Sequence, residues 1–135
     1  MAMLKFGVVS EIDPEAVTAR VKFSDLDDME TMLIPVGQHR TGLDKVYWMP
    51  DVGEHVVCLL DVNAETGVVL CSIYSDADKP PVNDEEKRRI QFRDGTWIEY
   101  NRETSTLRVH CVGDIFIHSE THAHMSGPTQ GIDLY

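Results

Sequence analysis

Arg89-Ile90-Gln91-Phe92-Arg93, Thr96-Trp97-Ile98-Glu99-Tyr100-Asn101, Ser105-Thr106-Leu107-Arg108-Val109-His110-Cys111 and Asp114-Ile115-Phe116-Ile117-His118 are four short runs. Asp94-Gly95, Arg102-Glu103-Thr104 and Val112-Gly113 join them. Apolar residues alternate with mostly polar ones at Ile90, Phe92, Ile98, Tyr100, Leu107, Val109, Cys111, Ile115 and Ile117. Alternation with period 2, broken by turn residues about every nine positions, predicts strands with one apolar face each. About 30 residues are available to cover that face, and a segment so small rarely builds a core without a staple, a metal or a partner. Isolated hairpins would leave the face wet. The economical solution is burial against copies of the same segment from other chains, so self-association follows from the pattern.

Upstream, Asp76-Ala77-Asp78-Lys79-Pro80-Pro81-Val82-Asn83-Asp84-Glu85-Glu86 reads as a linker. Its prolines supply no ladder donor and restrain the residue before them. The charge balance shifts at the same place. Residues 1–87 hold 7 basic and 17 acidic groups, and residues 88–135 hold 5 and 6. Within the first part, strands are expected at Leu4–Ile12, Ala16–Phe23, Thr31–Val36, Glu54–Asp61 and Gly67–Tyr74. Val17, Ala19, Val21 and Phe23 alternate with polar residues in the second of them. Five short strands with no helical stripe predict a small closed or half-closed barrel of the OB type. Gly42–Tyr47 has room for one helical turn. The expected fold class is all-β.

The 135 residues carry a formal net charge of −11, with 42% apolar and 26% charged content. Such acidity argues against phosphate-backbone binding and against docking on an anionic bilayer. No apolar run reaches the roughly 18 residues that a membrane helix needs. The Met-Ala-Met-Leu-Lys start lacks a signal peptide's apolar stretch, so a soluble protein made inside the cell is expected. Cys58, Cys71 and Cys111 each lie in an apolar run without zinc-type pairing, and small buried hydrophobes in a reduced compartment are the expectation. Tyr47, Trp48 and Trp97 are aromatic enough to stack on bases, but the acidity favours packing roles.

His122 and His124 are the sharpest chemical signal. On an extended strand, residues i and i+2 point the same way, so the two imidazoles share a face. Two ligands from one chain are too few for a stable site. Three chains meeting on a threefold axis would bring six imidazole nitrogens to one point, which suits an octahedral ion such as iron(II) better than tetrahedral zinc. The sequence leaves the metal open, and a solvated loop is the plain alternative. For both rings to face an axis, Ser119-Glu120-Thr121 must break the register of the preceding strand, which leaves His118 outward or behind the ligands. No phosphate loop, no Gly-x-Ser-x-Gly elbow and no His-Glu-x-x-His occurs. Catalysis is therefore not expected. An OB module for single-stranded nucleic acid or protein, and a small metal-dependent enzyme built on His118, His122 and His124, are the alternatives.

Several stretches together carry a resemblance. Gly7-Val8-Val9 leads to Ile12-Asp13, followed by Arg20-Val21-Lys22-Phe23, then Trp48-Met49-Pro50-Asp51-Val52-Gly53-Glu54-His55-Val56 and Gly67-Val68-Val69-Leu70-Cys71-Ser72-Ile73-Tyr74. With these, the chain resembles the baseplate assembly protein V family, central spikes of contractile-tailed phages, and more distantly the spikes of type VI secretion systems. The resemblance implies an OB domain over residues 1–78, a neck at 79–88, an intertwined triple-stranded β-helix over 89–118, and a pointed apex at 119–135. It implies a homotrimer with His122 and His124 of each chain around one Fe2+ on the axis. In that family the motif is commonly followed by glycines, whereas Met125 and Ser126 precede Gly127 here. It further implies a non-enzymatic virion component at the tail baseplate tip, synthesised in the bacterial host cytoplasm. Its partners would be the baseplate hub and other tail proteins, its target the host outer membrane or envelope, with no nucleic acid bound.

Overall fold

The computed structural model describes residues 2–128, and the chain divides into two compact units, Met1–Pro80 and Pro81–Tyr135. Strands dominate both, and none of the described helices is long and apolar enough to cross a membrane.

The first unit holds β1 (Met3–Asp13), β2 (Thr18–Phe23), a 3-10 turn (Ser24–Leu26), β3 (Met29–Glu30), β4 (Ile34–Pro35), β5 (His55–Leu60) and β6 (Gly67–Ser72). The sheet runs β3-β2-β1-β5-β6, with β4 also on β2. A parallel bridge between Val36 and Val69, with the Gly37 N–H donating to the Val69 carbonyl at 2.8 Å, joins its two ends into a barrel. Closure removes the free edges that would otherwise invite foreign strands.

β1 is the common wall. Its first half pairs with β5 from Met3↔Leu60 to Val8↔His55, and its second half pairs with β2 from Val8↔Lys22 to Asp13↔Thr18. A bulge between Val9 and Glu11 bends the strand from one partner to the other. Gly7 sits at that crossing. A Cβ there would lie 2.6 Å from Val21 Cγ1, 2.7 Å from the Lys22 carbonyl and 2.8 Å from Phe23 Cδ1, so only hydrogen fits. The core consists of inward residues from every strand of this wall, among them Val9, Ala19, Val21, Phe23, Ile34, Val56, Cys58, Leu60 and Val69.

Of the expected strand Thr31–Val36 only β4, Ile34–Pro35, forms, while β3, Met29–Glu30, lies before it, and Thr31 stands at the break between the two. Its Oγ1 accepts the Val21 N–H at 3.1 Å and donates to the Met32 carbonyl at 2.6 Å. The side chain thereby takes a place that a ladder carbonyl would fill, and the chain turns there while fully buried. Gly42–Tyr47 forms bends and a Thr41–Lys45 bridge instead of a helical turn. The cysteines also divide. Cys58 is inward and buried, but Cys71, opposite Val57, is exposed on the outer face, and Cys111 is half-buried. Opposite faces forbid a Cys58–Cys71 bridge within the barrel.

The second unit is an antiparallel meander of β7 (Lys87–Gln91), β8 (Trp97–Asn101) and β9 (Thr106–His110). The fourth expected strand, Asp114–His118, is not one: these residues have no ladder partner among the described residues. The chain leaves the sheet after His110, where the Val112 N–H donates to Thr96 Oγ1 at 3.2 Å and the Cys111 thiol lies 3.5 Å from the Asp114 carbonyl. A strand is defined by its neighbour, and alternation alone does not supply one.

Two outcomes are expected from the barrel. Gly7→Ala should lower the unfolding free energy by about 1–3 kcal/mol, as overpacking does, in urea titrations that follow the first unit. Burial pushes the Cys58 thiol up from 9.0 to about 11. The folded state therefore holds this proton more tightly than the unfolded chain, so its contribution is full below pH 9 and is lost as pH rises towards 11. Over that window the wild type should lose roughly 2 kcal/mol more stability than Cys58→Ala, read as a difference in denaturation slope against pH.

Candidate functional site

The second unit presents two faces of opposite character. Register places Ile90, Ile98 and Val109 in one row, and Arg88, Tyr100 and Leu107 in the next, all on one side. The other side carries Arg89, Glu99 and Arg108, then Gln91, Trp97 and His110. Ordinary burial is inverted here. Ile98 is 40% exposed, Ile90 46%, Val109 56% and Leu107 67%, whereas Glu99 is 8% exposed. Among the described residues from 81 onward, no apolar side chain is buried.

The polar side is the internally satisfied one. Arg89 Nη1 donates to Glu99 Oε1 at 2.9 Å, and Arg89 Nε donates to Gln91 Oε1 at 3.0 Å. The same guanidinium lies 4.4 Å from the centroid of the Trp97 ring, a cation–π geometry. Trp97 in turn stacks on His110 with centroids 5.6 Å apart and planes 25° from parallel. Each long polar side chain thus covers its neighbour, and the sheet keeps its shape without a core beneath it.

Two further devices fix the frame. Between β7 and β8, Asp94 Oδ1 accepts the Thr96 N–H at 2.9 Å, the Gly95 N–H donates to the Phe92 carbonyl at 3.1 Å and Gly95 takes φ +96°, which closes a three-residue hairpin loop, Arg93-Asp94-Gly95. The bonds from Thr96 hold the Asp94 carboxyl below its usual value. At the start of the unit, Arg102 grips both oxygens of Glu86 at 2.9 and 3.1 Å, while the Arg102 N–H reaches the Glu86 carbonyl at 2.8 Å. The Glu86 carboxylate holds the Arg102 guanidinium above its ordinary value. A fork on a carboxylate fixes orientation as well as distance.

Beyond His110 the backbone carries no assigned strand or helix as far as Pro128, and every described side chain after Cys111 is exposed. His122 and His124 do come together. Their ring centroids are 5.8 Å apart with planes 21° from parallel, so both imidazoles project to one side. Among the described residues, no cluster of three or more His, Cys, Asp or Glu side chains could hold a metal ion within one chain. His118 is exposed on the approach to that pair, His39 lies in the loop before β5, and His55 opens β5. Tyr47 and Trp48 are fastened to the barrel: Tyr47 Oη donates to the Pro14 carbonyl at 3.0 Å, and the Gln38 amide bonds both the Trp48 N–H and carbonyl. Trp97 is engaged by Arg89 and His110. The Arg89–Glu99–Trp97–His110 array was missed by sequence reasoning, although the same alternation that marks the apolar face puts these residues together on the other.

The family model for the type VI secretion system/phage-baseplate injector OB domain matches residues 5–74. The spike protein of Escherichia phage P2 is 35% identical over 108 residues, which are 79% of this chain and 50% of that protein. The chain thus spans about half the length of this curated relative.

Glu99→Gln should leave the barrel intact and loosen the meander. Loss of a largely buried charged hydrogen bond is expected to cost about 1.5–3 kcal/mol locally, read as faster amide hydrogen exchange across β7, β8 and β9.

Proposed function

Because this chain belongs to the type VI secretion system/phage-baseplate injector OB-domain family, we propose that it is the central spike of a contractile-tail baseplate, working as a homotrimer. The observation that carries the reading is the second unit's uncovered apolar face. Ile90, Ile98, Val109, Tyr100 and Leu107 lie side by side with no layer over them among the described residues of their unit. Apolar area left in water costs about 25 cal/mol per Å² against burial, and three copies turned inwards remove that cost together. Residues 89–118 then form an intertwined triple-stranded β-helix, in which the unpaired run Asp114–His118 takes its ladder partner from a neighbouring chain. Residues 1–78, within the first unit, are the OB domain, residues 79–88 the neck, and residues 119–135 the apex.

The pair of parallel rings at His122 and His124 suits a shared metal better than one held by a single chain. Three such pairs offer six imidazole nitrogens, and the ion they fit is an octahedral one, Fe2+, with one ion per trimer. When bound, the ion supplies a crosslink, not chemistry: its binding energy becomes folding energy where packing is thinnest. The chain's own residues do the mechanical work. Interchain ladders leave few free edges, the Arg89–Glu99–Trp97 array stiffens the outer side, and the Glu86–Arg102 fork fixes where the shaft begins. On sheath contraction, the point is driven through the host envelope. The baseplate hub and other tail proteins are its partners in the virion, and no catalytic step is assigned.

Light scattering combined with elemental analysis tests this. Three chains and one iron per particle are expected. His122→Ala with His124→Ala should abolish the iron while leaving three chains together through the apolar faces. A well-folded monomer would sink the spike reading, and full iron content in the double variant would sink the ligand assignment.

A further inference from the structure

Between β4 and β5 the barrel carries a braced projection. At its base Tyr47 Oη donates to the Pro14 carbonyl at 3.0 Å. Further out, the Gln38 side-chain amide bonds the Trp48 N–H at 2.9 Å and its carbonyl at 3.1 Å. The Val46 N–H then reaches the Arg40 carbonyl at 3.0 Å, and Thr41 bridges Lys45 in antiparallel fashion. Gly42, Leu43 and Asp44 are left to form the tip. Leu43 is fully exposed there, with Val46 and Tyr47 behind it at 41% and 63%. A single apolar side chain in water is ordinary, but one held out on a ladder of cross-bonds is not.

Charge marks the same place. Residues 1–80 hold 14 acidic and 6 basic residues. Lys5, Arg20, Lys22 and Lys79 each sit beside a carboxylate. Among the described residues, Arg40 and Lys45 are the basic side chains of this unit outside any ion pair, and they flank the tip. With Asp44 between them, the projection is net positive on an acidic barrel.

We propose that this projection plugs into a different protein of the tail, one that offers an apolar socket rimmed by carboxylates. The inference rests on the spike reading above and names the chemistry of one of its partners. A sibling barrel is a poor match. Its exposed strand residues Leu4, Phe6, Leu59 and Leu70 stand on the convex outside of a closed sheet, which offers ridges and no hollow. A carboxylate-rich surface is repelled by the barrel everywhere except at Arg40 and Lys45, so docking has one register. The braces fix the backbone before contact, and little ordering entropy opposes binding. Leu43 is the anchor that the socket buries.

Leu43→benzoylphenylalanine, introduced during assembly and irradiated in purified particles that carry this chain, tests the contact. Mass spectrometry should find the adduct on a different tail protein, beside Asp or Glu residues of that protein. An adduct with another copy of this chain, or with a stretch free of carboxylates, overturns the proposal, as does no adduct at all. Leu43→Asp, and separately Arg40→Glu with Lys45→Glu, should lower the amount of this chain per particle at least tenfold. Light scattering should still find three chains in each free variant. Unchanged incorporation overturns the proposal, and should a variant fail to fold, the adduct decides alone. Particles assembled without the wild-type chain at their tail tip would sink the spike reading instead, and this inference with it.

Discussion

A three-stranded sheet with its apolar residues exposed and Glu99 covered is the constraint on which the rest of this molecule depends. In an ordinary small domain the apolar side of a meander packs on another layer, and the polar side is wetted. Here Glu99 is the buried residue, while Ile90, Ile98 and Val109 stand in the open. The array of Arg89, Glu99, Trp97 and His110 explains how such a sheet holds its form as a single chain. Stacked and ion-paired side chains cross-brace the three strands from the polar side, and the apolar side stays flat and available. A surface so prepared is a half-made interior, which is the feature the proposed trimer rests on.

The barrel answers a different need. It is closed, has its own core, and depends on one strand serving two neighbours. β1 satisfies β5 with its first half and β2 with its second, and the bulge after Val9 makes the change of partner possible. The absence of a side chain at Gly7 lets β2 approach closely enough for Val21 and Phe23 to fill the core. The two units differ in kind: the barrel encloses its own core, whereas among the described residues of the second unit no apolar side chain is buried.

The histidine pair belongs to the same logic of incompleteness. One chain brings two parallel imidazoles and no third ligand among its described residues. In the proposed trimer, a site insufficient in one chain and sufficient in three would couple the metal to assembly. Exposure of every described side chain beyond Cys111 fits a segment whose neighbours come from other copies.

Much of this was legible in the order of residues. Alternation at Ala19, Val21 and Phe23, at Ile98 and Tyr100, and at Leu107 and Val109 determined where strands run and which side is apolar, while Val17, expected in the same strand, lies in the turn before it with φ +56°. A period of two has one physical cause. The mismatch between the apolar positions after residue 88 and the few residues able to cover them was equally plain, as was the shared direction of His122 and His124. What alternation does not contain is the identity of a strand's neighbour. Only the tertiary structure decided that Thr31 bonds Val21 at the break between β3 and β4, that Cys71 faces outward while Cys58 faces inward, and that Asp114–His118 finds no ladder partner among the described residues. It alone also set Arg89 against Glu99 and Trp97, since those contacts cross between strands. Side-chain direction is a local property of the backbone and is written in sequence, whereas pairing and burial are decided by whatever chain arrives alongside.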